Sequence, residues 1–149
     1  MPVPTLASPN GYLPVGDHTV TWTEITAGFG HNQRRRQLLE ELFVVLQALK
    51  QRGVQTVWLD GSFVTAAELP RDIDVVYEAP EGADVAGWGY LSPLRRVELR
   101  NLTGIDLWLG PAIGRHGGGP ISSIKDFFST DRDSIGRGLL LLRLQKDFP

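Results

Sequence analysis

The chain has no cysteine, which excludes a disulfide framework, a thiol nucleophile and a thiolate zinc site. That fits a reducing, cytoplasmic setting. Long apolar runs are also missing. The longest, Leu42 to Leu46, has five residues and falls far short of a membrane-spanning helix. The first fifteen residues hold four prolines, no basic residue and no apolar signal core, so no secretory leader is expected and a cytoplasmic location is. Net charge is only −2, so the molecule as a whole has no electrostatic case for nucleic-acid binding. Neither a Gly-Lys dipeptide nor a His-Glu-x-x-His string occurs, which removes Walker-type phosphate loops and zincin chemistry. The three histidines, His18, His31 and His116, stand apart from one another and read as surface or structural residues.

What remains is an ordinary globular mixture. With 149 residues and 42% hydrophobic side chains, the chain can bury one core, and a single domain over 1–149 is expected. The middle third, residues 51–100, carries eight acidic and five basic groups, while the flanking thirds are nearly balanced. Twelve of the fifteen basic residues are arginine, whose planar fork suits phosphate.

Pro2, Pro4, Pro9 and Pro14 with Asn10-Gly11 predict an extended N-terminal arm over 1–16. The chain is expected to turn at Gly28-Phe29-Gly30. A helix is predicted from Asn32, because Leu38, Leu39, Leu42, Phe43, Val45, Leu46 and Leu49 recur at helical spacing, and Gly53 suits its end. Arg34-Arg35-Arg36 in its first turns reads as a solvated face rather than a phosphate or RNA contact. Strands are predicted at Thr56–Leu59, Ile73–Tyr77, Ile105–Leu109 and Leu139–Leu144. Pro80 to Gly89 is a loop containing Trp88, and Leu94–Leu99 is a third strand or a short helix. A mobile glycine-rich stretch is expected at Gly114–Pro120, and a short helix at Ile124–Phe128. This alternation predicts an α/β (α+β) domain, with a mixed sheet of four to five strands and helices mainly on one face.

Candidate chemistry sits between Leu59 and Tyr77. Alternation along a strand sends Asp72 and Asp74 to one face while Ile73 and Val75 enter the core. Two residues advance roughly 6.6 Å, a spacing from which two carboxylates can lean onto one cation. Asp106, between Ile105 and Leu107 on a separate strand, is a third candidate. Oxygen-only donors suit magnesium or manganese, not zinc. The plainer alternative is the polar face of an amphipathic strand. Upstream, Gly61-Ser62 supplies close backbone approach and a hydroxyl at a helix start, both useful to a phosphate. Asp60 beside it is electrostatically unhelpful there unless it orients the turn or faces away.

Gly61-Ser62, Asp72-Ile73-Asp74 and the separate strand carboxylate Asp106 resemble the signature of the polymerase-beta-type nucleotidyltransferase superfamily in its minimal form. The longer strings Leu59-Asp60-Gly61-Ser62-Phe63-Val64-Thr65 and Pro70-Arg71-Asp72-Ile73-Asp74 are similar to an uncharacterised bacterial and phage branch. So are Asp126-Phe127-Phe128, Asp131-Arg132-Asp133 and Gly138 before a strand. The resemblance implies metal-dependent transfer of a nucleoside monophosphate from a nucleoside triphosphate. Asp72, Asp74 and Asp106 would be catalytic and would hold Mg2+ or Mn2+ in a two-metal arrangement. Gly61, Ser62, Thr65 and Arg71 would bind the nucleotide. Phe63-Val64-Thr65-Ala66 stand where many members follow Gly-Ser with arginine, and Thr65 or Arg71 would have to compensate. The implied setting is a toxin–antitoxin or phage-defence system, with a protein or RNA hydroxyl as acceptor. The alternative is a catalytically degenerate, antitoxin-like module that neutralises a partner toxin protein.

Overall fold

The computed structural model describes residues 13, 14, 16–110 and 138–149. Nearly all of the expected arm, the glycine-rich stretch at 114–120, the expected helix at 124–128 and the strings at 126–133 lie outside the described residues. Strand β1 (Asp17–Thr19) leads into helix α1 (Trp22–Phe29) and the long helix α2 (Gln33–Gln51). Strands β2 (Thr56–Asp60) and β3 (Ile73–Glu78) follow, then helix α3 (Arg96–Thr103), β4 (Ile105–Gly110) and β5 (Leu139–Arg143). Four single 3-10 turns lie between them, at Ser62–Val64, Val85–Gly87, Gly89–Leu91 and Pro93–Arg95.

The strands form one mixed sheet in the order β1-β5-β2-β3-β4. β1 runs parallel to β5 and β3 parallel to β4, whereas β2 is antiparallel to both of its neighbours. This is the mixed α/β domain expected from the sequence. Helix α2 forms where the periodicity placed it. The Asn32 side chain accepts from the Arg35 amide at its N-terminus, and Gly53 follows its cap residue Arg52. Leu38, Leu42, Leu46 and Leu49 are fully buried in one cluster with Leu59, Ile73, Val75, Ile105 and Leu142. All three helices contribute to that cluster, through Ile25 and Phe29, the leucines of α2, and Leu99. Burial of each such side chain contributes about 1.5–3 kcal/mol.

Of the two readings of 94–99, strand or short helix, the helix is found, as a 3-10 turn running into α3. Helix α1 was not anticipated. It opens on a capping box in which the Thr21 hydroxyl accepts from the Glu24 amide and the Glu24 carboxylate accepts from the Thr21 amide. On the second face of the sheet, Trp58, Val76 and Leu139 are buried with Trp108 and Leu141 packed against them. Among the described residues no helix joins that cluster, and none is long and apolar enough to cross a membrane.

Candidate functional site

Strand register assembles the site. Asp60 pairs with Asp74 across β2 and β3, and Asp74 pairs with Asp106 across β3 and β4. Three aspartates therefore stand in one lateral row on adjacent strands. They share the face of Trp58, Val76 and Trp108, since Ile73, Val75, Ile105 and Leu107 point into the helix-covered core. Cβ atoms of such opposed pairs are about 4.5–5.5 Å apart, close enough for like charges to oppose one another. Asp60 is fully buried, Asp106 is 5% exposed and Asp74 is half-buried. Asp72 precedes β3 instead of lying within it. It still comes within electrostatic reach: desolvation first, then the Asp106 charge, raise its carboxyl above the usual 3.8, against the opposing pull of Arg100, Arg34 and Arg71. Thus Asp74 and Asp106 come together as expected, Asp72 flanks them, and Asp60 joins a row the sequence did not assign it to.

Gly61 shapes the space around Asp74. Its φ of 85° and ψ of −168° belong to a region essentially reserved for glycine. A Cβ there would lie 2.5 Å from Asp74 Oδ2. The backbone is thus cut back to admit that carboxylate. Ser62 begins the 3-10 turn and is exposed. The Thr65 hydroxyl donates to the Ser62 carbonyl at 2.6 Å and accepts from the Ala67 amide at 3.2 Å, so it braces the loop internally. The brace continues into α2. Arg35 is fully buried, not solvated, and donates to the carbonyls of Phe29, Phe63, Thr65 and Ala67. Its guanidinium also lies 5.0 Å from the Phe63 ring centre. One arginine therefore ties the loop after Gly61-Ser62 to the first turn of the long helix. Nothing in the Arg34-Arg35-Arg36 run distinguished it, because three of the four carbonyls it serves lie 28 to 32 residues further along the chain.

At the other end of the row, Gly104 closes α3 in the left-handed conformation, with φ 79° and its amide donating to the Arg100 carbonyl at 2.8 Å. Two residues later the chain presents Asp106. Arg96 donates to Asp106 Oδ1, and Arg100, one helical turn on, lies 4.0 Å from Oδ2. The Arg96 guanidinium also lies 3.9 Å from the centre of the Trp108 ring. Beside Asp72, a polar cleft of 760 Å³ runs between α2 and the end of α3, lined by Arg34, Gln37, Arg71 and Arg100 among others. Arg71 is exposed there. Arg34 donates to the carbonyls of Pro70 and Arg71 and so fixes the approach to Asp72. Trp88 lies away from the row, stacked on Tyr77 with centroids 6.0 Å apart on the helix side of the sheet.

The donor chemistry suits a hard divalent cation. Asp74 and Asp106 offer oxygen ligands at one register position of neighbouring strands, and the Gly61 backbone leaves room for one of them. Among the described residues, no three Asp, Glu or His side chains are gathered into a metal-holding group. The Asp106 carboxylate is taken by Arg96. For Asp106 to join Asp74 on a cation, its ion pair with Arg96 would have to open.

The fold and the row together define a mixed α/β domain that holds a line of partly buried carboxylates on the sheet face opposite its helices. The chain belongs to DUF6932, a family of unknown function whose model matches residues 4–143. No curated protein and no solved structure matches it.

Proposed function

We propose that the protein is a metal-dependent nucleotidyltransferase, moving a nucleoside monophosphate from a nucleoside triphosphate to a hydroxyl of a protein or RNA acceptor. The observation that supports this most is the contact between Gly61 and Asp74 beside Asp106: a backbone held in a glycine-only conformation so that one carboxylate of a cross-strand row can stand against it. The arrangement agrees with the nucleotidyltransferase-like fold implied by the sequence resemblance. Asp72, Asp74 and Asp106 are the residues that would hold Mg2+ or Mn2+. Bound there, the cation would offset phosphate charge and make the acceptor hydroxyl more acidic. The acceptor oxygen bonds to the α-phosphorus, the α–β bridging P–O bond breaks, and pyrophosphate leaves with the bridging oxygen. The hydroxyl proton passes to the Asp106 carboxylate. Ser62, exposed at the start of its turn, and Arg71, exposed at the cleft, would meet phosphate oxygens, with Gly61 shaping the backbone beside Asp74. Thr65 acts through the loop it braces. By resemblance, the biological setting is a toxin–antitoxin or phage-defence module.

The ion pair between Arg96 and Asp106 favours a second reading, a degenerate module that binds a partner toxin protein and catalyses nothing. Labelled nucleoside triphosphates, manganese or magnesium and cell extract separate the two. The enzyme transfers label, and Asp74→Ala abolishes the transfer. Absence of transfer by the wild type, or its survival in Asp74→Ala, would sink the catalytic reading.

A further inference from the structure

Resting on that reading, we propose that Arg96 is a phosphate-binding residue of this site, stored on Asp106 in the free protein and passed to the triphosphate when a divalent cation takes that carboxylate. Its position carries the argument. The Arg96 side chain is 27% exposed and the Asp106 side chain 7%, so the arginine is the more solvent-accessible member of the pair. Trp108 follows Asp106 by two residues and shares its sheet face, and its ring lies against the guanidinium at 3.9 Å. That ring is a shelf that keeps the charge at the site independently of Asp106.

Two other arginines near the row are committed elsewhere. Arg35 is spent on four backbone carbonyls inside the protein, and Arg34 on two. The stretch Phe63-Val64-Thr65-Ala66 after Gly61-Ser62 offers no cation. A cation bound through Asp106 Oδ1 would displace the Arg96 guanidinium from that oxygen, and arginine stays protonated throughout. Once displaced from Asp106, Arg96 is a planar charged fork held beside the row without its anion, and a polyphosphate is the anion that fork matches. Arg100, 4.0 Å from the same carboxylate, remains as a second positive charge beside it during the exchange.

The test measures binding, not turnover, with manganese alone and with preformed manganese–tripolyphosphate as calorimetric titrants. Arg96→Gln should bind manganese alone about five- to tenfold more tightly, because Asp106 is released. The same variant should bind manganese–tripolyphosphate about tenfold more weakly. Arg96→Lys, which keeps the charge and loses the fork, should fall between wild type and Arg96→Gln for both titrants. If Arg96→Gln leaves both affinities unchanged, or moves them in the same direction, the assignment is overturned while the metal-dependent reading stands. If the wild type binds neither titrant, that reading fails and the assignment with it. Cooperative thermal unfolding of Arg96→Gln is checked first, and if it is lost, Arg96→Lys decides by the same criteria.

Discussion

The Gly61–Asp74 contact allows the sharpest test of how the site is built. In Gly61→Ala, the new side chain meets two separate penalties. Holding a non-glycine residue at φ 85° and ψ −168° costs about 1–3 kcal/mol. The added Cβ, 2.5 Å from Asp74 Oδ2, forces the carboxylate off its preferred rotamer for about 0.5–1.5 kcal/mol more. The sum, about 1.5–4.5 kcal/mol, is measurable by urea unfolding of Gly61→Ala against wild type. A double-mutant cycle with Asp74→Ala then separates the two parts. In the Asp74→Ala background the backbone penalty remains and the steric one disappears, so the cycle should return a coupling of about 0.5–1.5 kcal/mol. Gly61→Ala should also abolish any manganese-induced rise in melting midpoint, because Asp74 is displaced. Additivity within about 0.3 kcal/mol would refute the claim that Gly61 is there to admit the Asp74 carboxylate.

Manganese in hundred-fold excess over its dissociation constant should stabilise the wild type by about 2.7 kcal/mol. At about 2–4 °C per kcal/mol this is a rise of several degrees in a thermal melt, and Asp74→Asn should remove it. Burial and the Asp106 charge raise the Asp72 carboxyl in the folded protein, so its ionised form opposes folding at neutral pH. Asp72→Asn should therefore unfold at a higher midpoint than wild type at pH 7. The gain should shrink as pH falls through the raised folded-state value and vanish well below 3.8, where the carboxyl is neutral in both states; a gain that persisted in acid would contradict this. Arg35→Met leaves four carbonyls without their shared donor and should cost more than about 3 kcal/mol in urea unfolding, with Arg35→Lys recovering less than half. Asp147 has the opposite pH sign to Asp72. Hydrogen bonds from Arg143 hold its carboxyl below the usual value, so the stability it adds at neutral pH should fade as the medium is acidified through that lowered value, and Asp147→Asn should flatten the acid limb of the stability profile.

Much of the frame was legible in the sequence because its signals are local. Helix α2 shows itself through seven apolar residues at helical spacing and an Asn32 cap, and β2, β3 and β4 through short β-prone runs between turns. Helix α1 was missed because eight residues with Gly28 inside and threonine at positions 23 and 26 carry little propensity. Its Thr21–Glu24 capping box was the available signal. Strand β1 is three residues long and exists by pairing with β5, more than a hundred residues away, so no local pattern marks it. The carboxylates were found through spacing along one strand, which located Asp74. Membership of the row depends on which residue of β2 faces Asp74, and a twelve-residue connection, 61–72, does not fix that register.

Burial sets these aspartates apart from the polar face of a half-exposed strand. On the polar face of an amphipathic strand, carboxylates stay in water, where like charges at neighbouring positions cost little. Here Asp60 is fully buried and Asp106 nearly so, and both flank Asp74 in register. Bringing carboxylates together in a poorly solvated row opposes folding unless a positive charge offsets them. At Asp106 that charge is a guanidinium resting on an indole ring, reachable from solvent. The chain also spends a glycine-only conformation at Gly61 and a buried arginine, Arg35, to hold the adjoining loop against Asp74. Arg35 does so from within the core, beside the Phe29 and Phe63 rings, whereas the aspartate row lies on the other face of the sheet. Three aspartates gathered in register beside the Arg96 guanidinium are the feature on which the proposed phosphate chemistry rests.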